Sequence, residues 1–435
     1  MAKYNFENLF NLAKERGFEG FEVSSSVSEE KFINYRNGKL EGTSISISTV
    51  NAFAGIKYGN RGVYKVDFYS EDMNEDILSS LDDICKFGKP YKVDYLTKGK
   101  QKYNKIKQYP ELFKDITVES IREKLEQVSQ NTYNKYKDLL QSNTISLGYE
   151  TGSSYYANSE GCENKGTKSY LSAFNIELVF KDGETVEADY DYNISMRGFM
   201  DLNIDKIVQR VVKSVKDKLV KKPVKSGDYK VILSENVVST LLSCLLGHLN
   251  GKTLYENRSL LKPFLEGQDQ LSSKLNVVSD SKTQRYYTVT ADVDNRPVPN
   301  NVNLIKKGQV VSPILDNEYG ALLGKESNGL TGASFKIKPG KTTFDEAVKS
   351  CKKAIYINDL ASLHSCLDED SLDFSCPFEG YLIKNGEMVH QVKLGMVSGN
   401  VIQVFKDIAK VLDVSDDKYA HLVPKLIIKA MKITC

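Results

Sequence analysis

The stretch Val237 to Leu249 (VVSTLLSCLLGHL) gathers the side chains best placed for chemistry: the Ser243 hydroxyl, the Cys244 thiol and the His248 imidazole. Its apolar spacing predicts a helix that ends at Gly247-His248. Cys244 and His248, one turn apart, share a face. Ser243 and His248 are five apart and sit roughly 140° apart on an ideal helix, so joint use needs a distortion or a helix end, which Gly247 permits. A hydrolytic zinc centre needs two or three neutral imidazoles or thiolates, an open position for water and a carboxylate to take that water's proton. Between Val237 and Leu249 there is one imidazole and no carboxylate. The plainer reading makes His248 a helix-end histidine near the last carbonyls, and Ser243 and Cys244 ordinary residues of an apolar run.

His364, Cys366, Cys376 and His390 are the other group of soft ligands. Their spacing fits no standard zinc module, so they read as packing residues of a loop and a hairpin arm. Lys213, Lys216, Lys218, Lys221, Lys222 and Lys225 read as the solvated face of a helix rather than a phosphate-binding stripe, because Asp217 interrupts them. GNRG and GLTGASFKIKPG lack phosphate-loop and dinucleotide spacing and read as turns.

Two amphipathic helices should flank strands in each part of the first half. Phe6, Leu9, Phe10 and Ala13 mark a helix stopped by Gly17, and alternating stretches up to GVYKVDFY predict an antiparallel meander with a hairpin turn at Asn37-Gly38. A helix from Asp72 follows, with Glu75 completing a capping box and Ile77, Leu81 and Ile84 on one face. The order recurs: a helix with Val118, Ile121, Leu125 and Val128, strands turning at Asp182-Gly183, then a helix with Ile204, Ile207, Val211 and Val215. A diverged duplication and two look-alike meanders both fit.

Lys221 to Gly227 has linker chemistry and suggests a boundary, dividing residues 1–225 (sub-units about 1–90 and 113–222) from 226–435. Beyond it come the strand YKVIL, the apolar helix, turns at Lys307-Gly308 and Asn385-Gly386, and a last helix from Asn400 with Val401, Phe405, Ile408 and Leu412 inward. The expected fold is α+β: helix–antiparallel meander–helix units, then a mostly antiparallel β domain.

The 435 residues carry 59 basic and 57 acidic side chains, which argues against direct nucleic-acid or anionic-membrane binding. Seven scattered cysteines without a CxxC pair suggest a reducing compartment, and neither a signal-peptide pattern nor a bilayer-length apolar run is visible. A cytoplasmic location is expected.

Three segments in order carry a family resemblance: FEGFEVSSSVSEEKFINYRNGKLEGTSISISTVNAFAGIKYGNRGVY, LLSCLLGHLNG and SLHSCLDEDSLDFSCPFEGYLIKNGEMVHQVKLGMVSGN. With them the chain resembles the TldD/PmbA metallopeptidase-related proteins, also called modulators of DNA gyrase, and the last segment resembles the PmbA (TldE) branch. In the TldD branch the helix reads HExxxH, and a cysteine nearer the C-terminus completes the metal site. The resemblance places Ser243 at the first His, Cys244 at the general-base Glu and His248 at the second His, with the third ligand near Ser415 to Tyr419, where no Cys stands. No catalytic residue is then intact and no cofactor is expected in this chain, His248 being the one weak candidate for a metal ligand.

The resemblance implies a non-catalytic subunit. Zinc would sit in a TldD-like catalytic partner, and the heterodimer would trim or mature unstructured peptides. A homodimer, a stand-alone metal- or thiol-dependent peptidase with a rebuilt site, and a protein-binding modulator of DNA gyrase are the alternatives. Asp292-Val293-Asp294-Asn295 looks looser than the family's acidic-glycine turn.

Overall fold

The computed structural model describes residues 6–114, 116–166, 168–416 and 418–435, with the Met200 side chain left aside. The chain forms two compact units. One comprises Met1–Val179, Asp189–Val212 and Thr290–Pro297; the other Phe180–Ala188, Lys213–Val289 and Val298–Cys435. They part inside a helix, after Val212.

The first part of the chain runs α1 (Glu7–Glu15), β1 (Gly20–Arg36), β2 (Lys39–Lys57), β3 (Asn60–Val66), α2 (Asn74–Lys86) and the two-residue β4 (Lys89–Pro90). It continues with α3 (Val118–Tyr136), β5 (Leu140–Asn158), β6 (Glu163–Lys165), β7 (Ser169–Asp182), β8 (Thr185–Ser195) and α4 (Ile204–Leu219). The helix–meander–helix order thus occurs twice. The strands make one sheet in the order β4-β3-β2-β1-β5-β7-β8, with β6 on β5. Asn37 and Gly38 both take positive φ, as a two-residue hairpin turn demands, and Tyr58-Gly59 does the same between β2 and β3. Burial follows the alternation near the helices, where Phe21, Val23 and Phe53 meet Leu9, Ile77 and Leu81 in one core.

The capping box at Asp72 does not form. Asp72 lies in a short 3-10 turn, Glu71–Met73, and Glu75 instead pairs with Arg16 at the end of α1. The buried face of α2 is Ile77, Leu78, Leu81 and Cys85, while Ile84 sits partly exposed at its rim. In α3, Thr117 and Ser120 do form a reciprocal cap. The solvated-face reading of the lysines fails at Lys218, which is buried: its ammonium donates to the Ala188 carbonyl (2.9 Å) and the Glu379 carboxylate (2.7 Å). Helical period alone hides this, because Glu379 arrives from 161 residues away.

The turn at 292–295 is tight. Asp292 Oδ1 accepts from the Asp294 and Arg296 amides at 3.0 and 2.7 Å, and Asn295 takes φ +57°, the left-handed position that a glycine would occupy at no cost.

The remaining elements are β9 (Gly227–Leu233), α5 (Glu235–Gly247), α6 (Gly251–Tyr255), α7 (Lys262–Leu265), β10 (Val277–Asp280), β11 (Asn303–Lys306), β12 (Gln309–Val310), α8 (Asn317–Leu322), β13 (Ser334–Ile337) and α9 (Phe344–Lys349). After them come β14 (Lys353–Leu360), α10 (Leu363–Cys366), β15 (Asp373–Lys384), β16 (Glu387–Gln391), β17 (Met396–Asn400), α11 (Val401–Lys406), β18 (Ile408–Asp416) and β19 (Val423–Thr434). Strands β14-β9-β19-β17-β15 pair in sequence, and the β14–β15 pairing closes them into a barrel-like ring. Only β14–β9 is parallel within that ring. A second sheet has the order β12-β11-β10-β13. The fold is α+β, with a C-terminal β domain that is mostly antiparallel.

The last helix is shorter than its sequence suggests. It ends at Lys406, and Ile408 and Leu412 belong to β18, which pairs with β19. The β-branched residues after Asp407 prefer the pleated surface that β19 offers. No helix among the described residues is long and apolar enough to cross a membrane.

Candidate functional site

Helix α5 forms because Ser234 caps it, its hydroxyl accepting from the Val237 amide at 3.3 Å, and because Glu235 adds negative charge at the first turn. Glu235 also pairs with Lys425 at 2.6 Å. The helix is apolar on most sides, and Val237, Val238, Leu241, Leu242, Leu245 and Leu246 are all buried in the main core of the unit. It ends at Gly247, with His248 as its C-cap.

Ser243, Cys244 and His248 have three different environments. Ser243 is exposed, and its hydroxyl donates back to the Ser239 carbonyl at 3.1 Å, a bond internal to the helix. Cys244 is half-buried, and burial together with the nearby Glu369 carboxylate pushes its thiol above the usual range. A thiolate nucleophile requires the opposite shift.

His248 is buried, and both of its ring nitrogens are engaged. Nδ1 accepts from the Leu260 amide at 3.1 Å and Nε2–H donates to the Glu369 carbonyl at 3.0 Å. The amide donor at Nδ1 fixes the neutral Nε2–H tautomer. The His248 carbonyl in turn accepts from the Ser259 hydroxyl. The side chain therefore staples the end of α5 to two loops, and it has no lone pair left for a cation. These donors do not fit a zinc ion: one ring already spent, one hydroxyl turned back on its own helix and one thiol held protonated. Among the described residues no group of three or more His, Cys, Asp and Glu is arranged to hold a metal.

The segment where the family's third ligand would fall contains Asp417, which lies outside the described residues; Ser415 and Asp416 belong to β18. Just beyond it, the His421 amide donates to Ser239 Oγ at 3.1 Å, on the turn of α5 before Ser243. His421 is buried, its Nδ1 accepts from the Phe335 amide at 3.3 Å, and its ring packs on that of Phe335. Burial and the neighbouring Arg285 lower its pKa to about 4. Arg285 donates to the Tyr419 and Ala420 carbonyls at 2.6 and 3.2 Å and lies 3.7 Å from the buried Asp280. Residues 419–421 are thus held in place by bonds between their backbone and the side chains of Ser239 and Arg285.

Of the second group, Cys366 and Cys376 come together: burial first, then the adjoining Cys366 thiol, pushes Cys376 up to about 12. His364 is exposed on α10, and His390 on β16 is bonded to the Gln391 carbonyl at 3.0 Å. The structure does not collect the four as a ligand set. Sequence reasoning missed Glu369 and Leu260, which engage His248 through backbone atoms that carry no residue-type signal, and His421, which has no patterned neighbour.

The sequence profile of the PmbA/TldA metallopeptidase C-terminal domain matches residues 226–435, and that of the central domain matches residues 106–219. A metalloprotease of Methanothermobacter thermautotrophicus is 22% identical over 301 residues, covering 66% of this chain and 65% of that protein. The Haemophilus influenzae metalloprotease PmbA homolog is 22% identical over 327 residues, covering 74% and 71%. The chain spans 65% and 58% of the lengths of the Methanothermobacter protein and a Synechocystis metalloprotease, two of the curated relatives it matches. Among solved structures, a Thermotoga maritima protein designated a candidate modulator of DNA gyrase superposes with TM-score 0.87 at 17% identity, covering 98% of this chain and 99% of that one. TldE from Thermococcus kodakarensis superposes with TM-score 0.81 at 18% identity, covering 99% and 100%. The domain matches over both parts, joined to the shared fold, establish that the chain belongs to the PmbA/TldD metallopeptidase family.

Proposed function

We propose that this chain is the TldE-like, non-catalytic subunit of a cytoplasmic TldD/PmbA-type peptidase that trims or matures unstructured peptides. Zinc and the water-activating carboxylate would reside in a TldD-like partner. The observation that supports this reading best is the double engagement of His248, whose two nitrogens serve Leu260 and Glu369. A lone imidazole spent on backbone cannot hold an ion, and neither Ser243 nor Cys244 can replace a general-base carboxylate at neutral pH. The raised thiol of Cys244 argues in the same direction against a cysteine peptidase.

The test is reconstitution. The chain purified without chelator should carry well under one zinc per polypeptide and leave an unstructured peptide intact, whereas addition of a TldD-like chain with an intact HExxxH should produce chelator-sensitive cleavage. Cleavage by this chain alone, or one zinc per chain lost on His248→Ala, would overturn the reading.

A further inference from the structure

The seven cysteines have unequal surroundings. Cys85, Cys162 and Cys351 are buried, Cys244 is half-buried on α5, and Cys435 is exposed at the chain end. Cys85 donates to the Gly55 carbonyl at 3.2 Å, and the Cys162 sulfur lies 3.6 Å from the Tyr103 hydroxyl. Cys366 and Cys376 have each other, their thiols in hydrogen-bond contact. Cys376 is buried in the main core of its unit, and the half-buried Cys366 packs against the same core. One thiol is reachable from solvent, and the other is its inward neighbour.

The fold creates this pair by turning the chain back on itself. Cys366 closes α10 and Cys376 is the fourth residue of β15, with Leu367 to Ser375 between them. Leu367 bridges to Phe374 antiparallel, and the Asp368 amide donates to the Asp373 carbonyl at 2.9 Å. Asp368 Oδ1 accepts from the Asp370 and Ser371 amides, both at 2.9 Å. Leu372 completes the turn at φ +61°, a strained position for a leucine that persists only where its surroundings hold it. This loop carries Glu369, whose carbonyl receives Nε2–H of His248 at 3.0 Å. The Ser371 and Leu372 carbonyls accept from the Asn400 side chain and the Val401 amide, both at 2.9 Å, at the start of α11.

We propose that Cys366 and Cys376 form a reversible disulfide, which closes a ring of eleven residues around the loop that presents Glu369 to His248. The oxidant is a low-molecular-weight disulfide. The Cys366 thiolate attacks one of its sulfurs, forming a mixed disulfide and expelling one small thiolate. Cys376 then loses its proton and attacks the Cys366 sulfur, expelling the second small thiolate, so that two electrons and two protons pass from the pair to the oxidant. Access sets this order: Cys366 is half-exposed, whereas burial and the adjoining thiol hold Cys376 protonated and suit it to the resolving step. In a reducing compartment the dithiol is the resting form. The bond involves no residue of α5, so it goes beyond the subunit role proposed above and is tested without any peptidase readout.

The full chain, reduced and folded, should be treated with oxidised glutathione, alkylated and cleaved at Asp368, Asp370 and Asp373, which separates the two cysteines unless a disulfide joins them. Most chains should carry the Cys366–Cys376 cross-link while Cys85, Cys162 and Cys351 stay reduced, and dithiothreitol should reverse it. In Cys376→Ala chains Cys366 should stop at the glutathione mixed disulfide, and in Cys366→Ser chains Cys376 should resist the oxidant. Closing the ring should lower the unfolding equilibrium constant by about 100-fold in a urea titration, because it removes loop entropy from the unfolded chain, and neither single variant should show that gain. Both thiols remaining free while Cys435 is modified would overturn the proposal. So would a mixed disulfide arrested on Cys366 of the native chain, or a cross-link that forms only in denaturant.

Discussion

The end of α5 and the outer edge of β2 treat their polar groups in opposite ways. At His248 the buried nitrogens each have a backbone partner, and the residue that could have served a cation is consumed by structure. Along Gly42–Val50 the main-chain groups of one side pair with no strand among the described residues, and the side chains around them are small, uncharged or branched. In the first region reactive residue types conceal a structural role. In the second, residues with no reactive chemistry expose an unused bonding capacity. Residue type alone is therefore a poor guide to which groups of this molecule are already engaged.

The contrast can be broken most forcefully at His248. Replacing it with Ala leaves the Leu260 amide and the Glu369 carbonyl unpaired in a buried site, and the variant should lose about 3 kcal/mol of unfolding free energy in a denaturant titration. A loss below about 0.5 kcal/mol would mean that the staple is not structural.

His421 sharpens the same side of the comparison through pH. Its folded pKa of about 4 lies below the ordinary histidine value, so the unfolded chain binds the proton first as pH falls. The associated stability is fully present above about pH 6.5 and lost progressively toward pH 4, on the order of 3 kcal/mol in all. His421→Asn, which retains an acceptor for the Phe335 amide, should flatten that part of the stability–pH curve relative to the parent. Parallel curves would place the acid sensitivity elsewhere.

At the open edge, Ile47→Lys should change the thermal stability of the monomer by no more than about 0.5 kcal/mol, since the side chain is exposed and buries nothing within its own chain. A large loss there, measured by calorimetry at a concentration where the chain is monomeric, would show that the strand needs those isoleucines to form at all.

Local signals were the legible ones. Asn37-Gly38, Lys307-Gly308 and Asn385-Gly386 turn where two positive φ angles are required, and each is flanked by the strands its alternation implies. The faces of α3 and α4 follow helical period, with Ile121, Leu125, Ile207, Val211 and Val215 buried. What could not be read depends on distant partners. Glu75 is taken by Arg16, Lys218 is enclosed with Glu379, and Ile408 and Leu412 turn to strand because β19 lies alongside. For the candidate site, the loss of zinc-helix residue types at Ser243 and Cys244 was visible in the text of the chain. The fate of His248 was not, because its two partners are backbone atoms, one of them 121 residues away.

The staple at the end of α5 also makes the present state hard to reverse. Writing a histidine at position 243 and a glutamate at 244 would recreate the familiar spelling, yet the remaining imidazole would still have to abandon Leu260 and Glu369 before it could turn toward an ion. Two loops would come loose in exchange for one coordinate bond, so a return to metal chemistry requires rebuilding the surroundings first and the motif second.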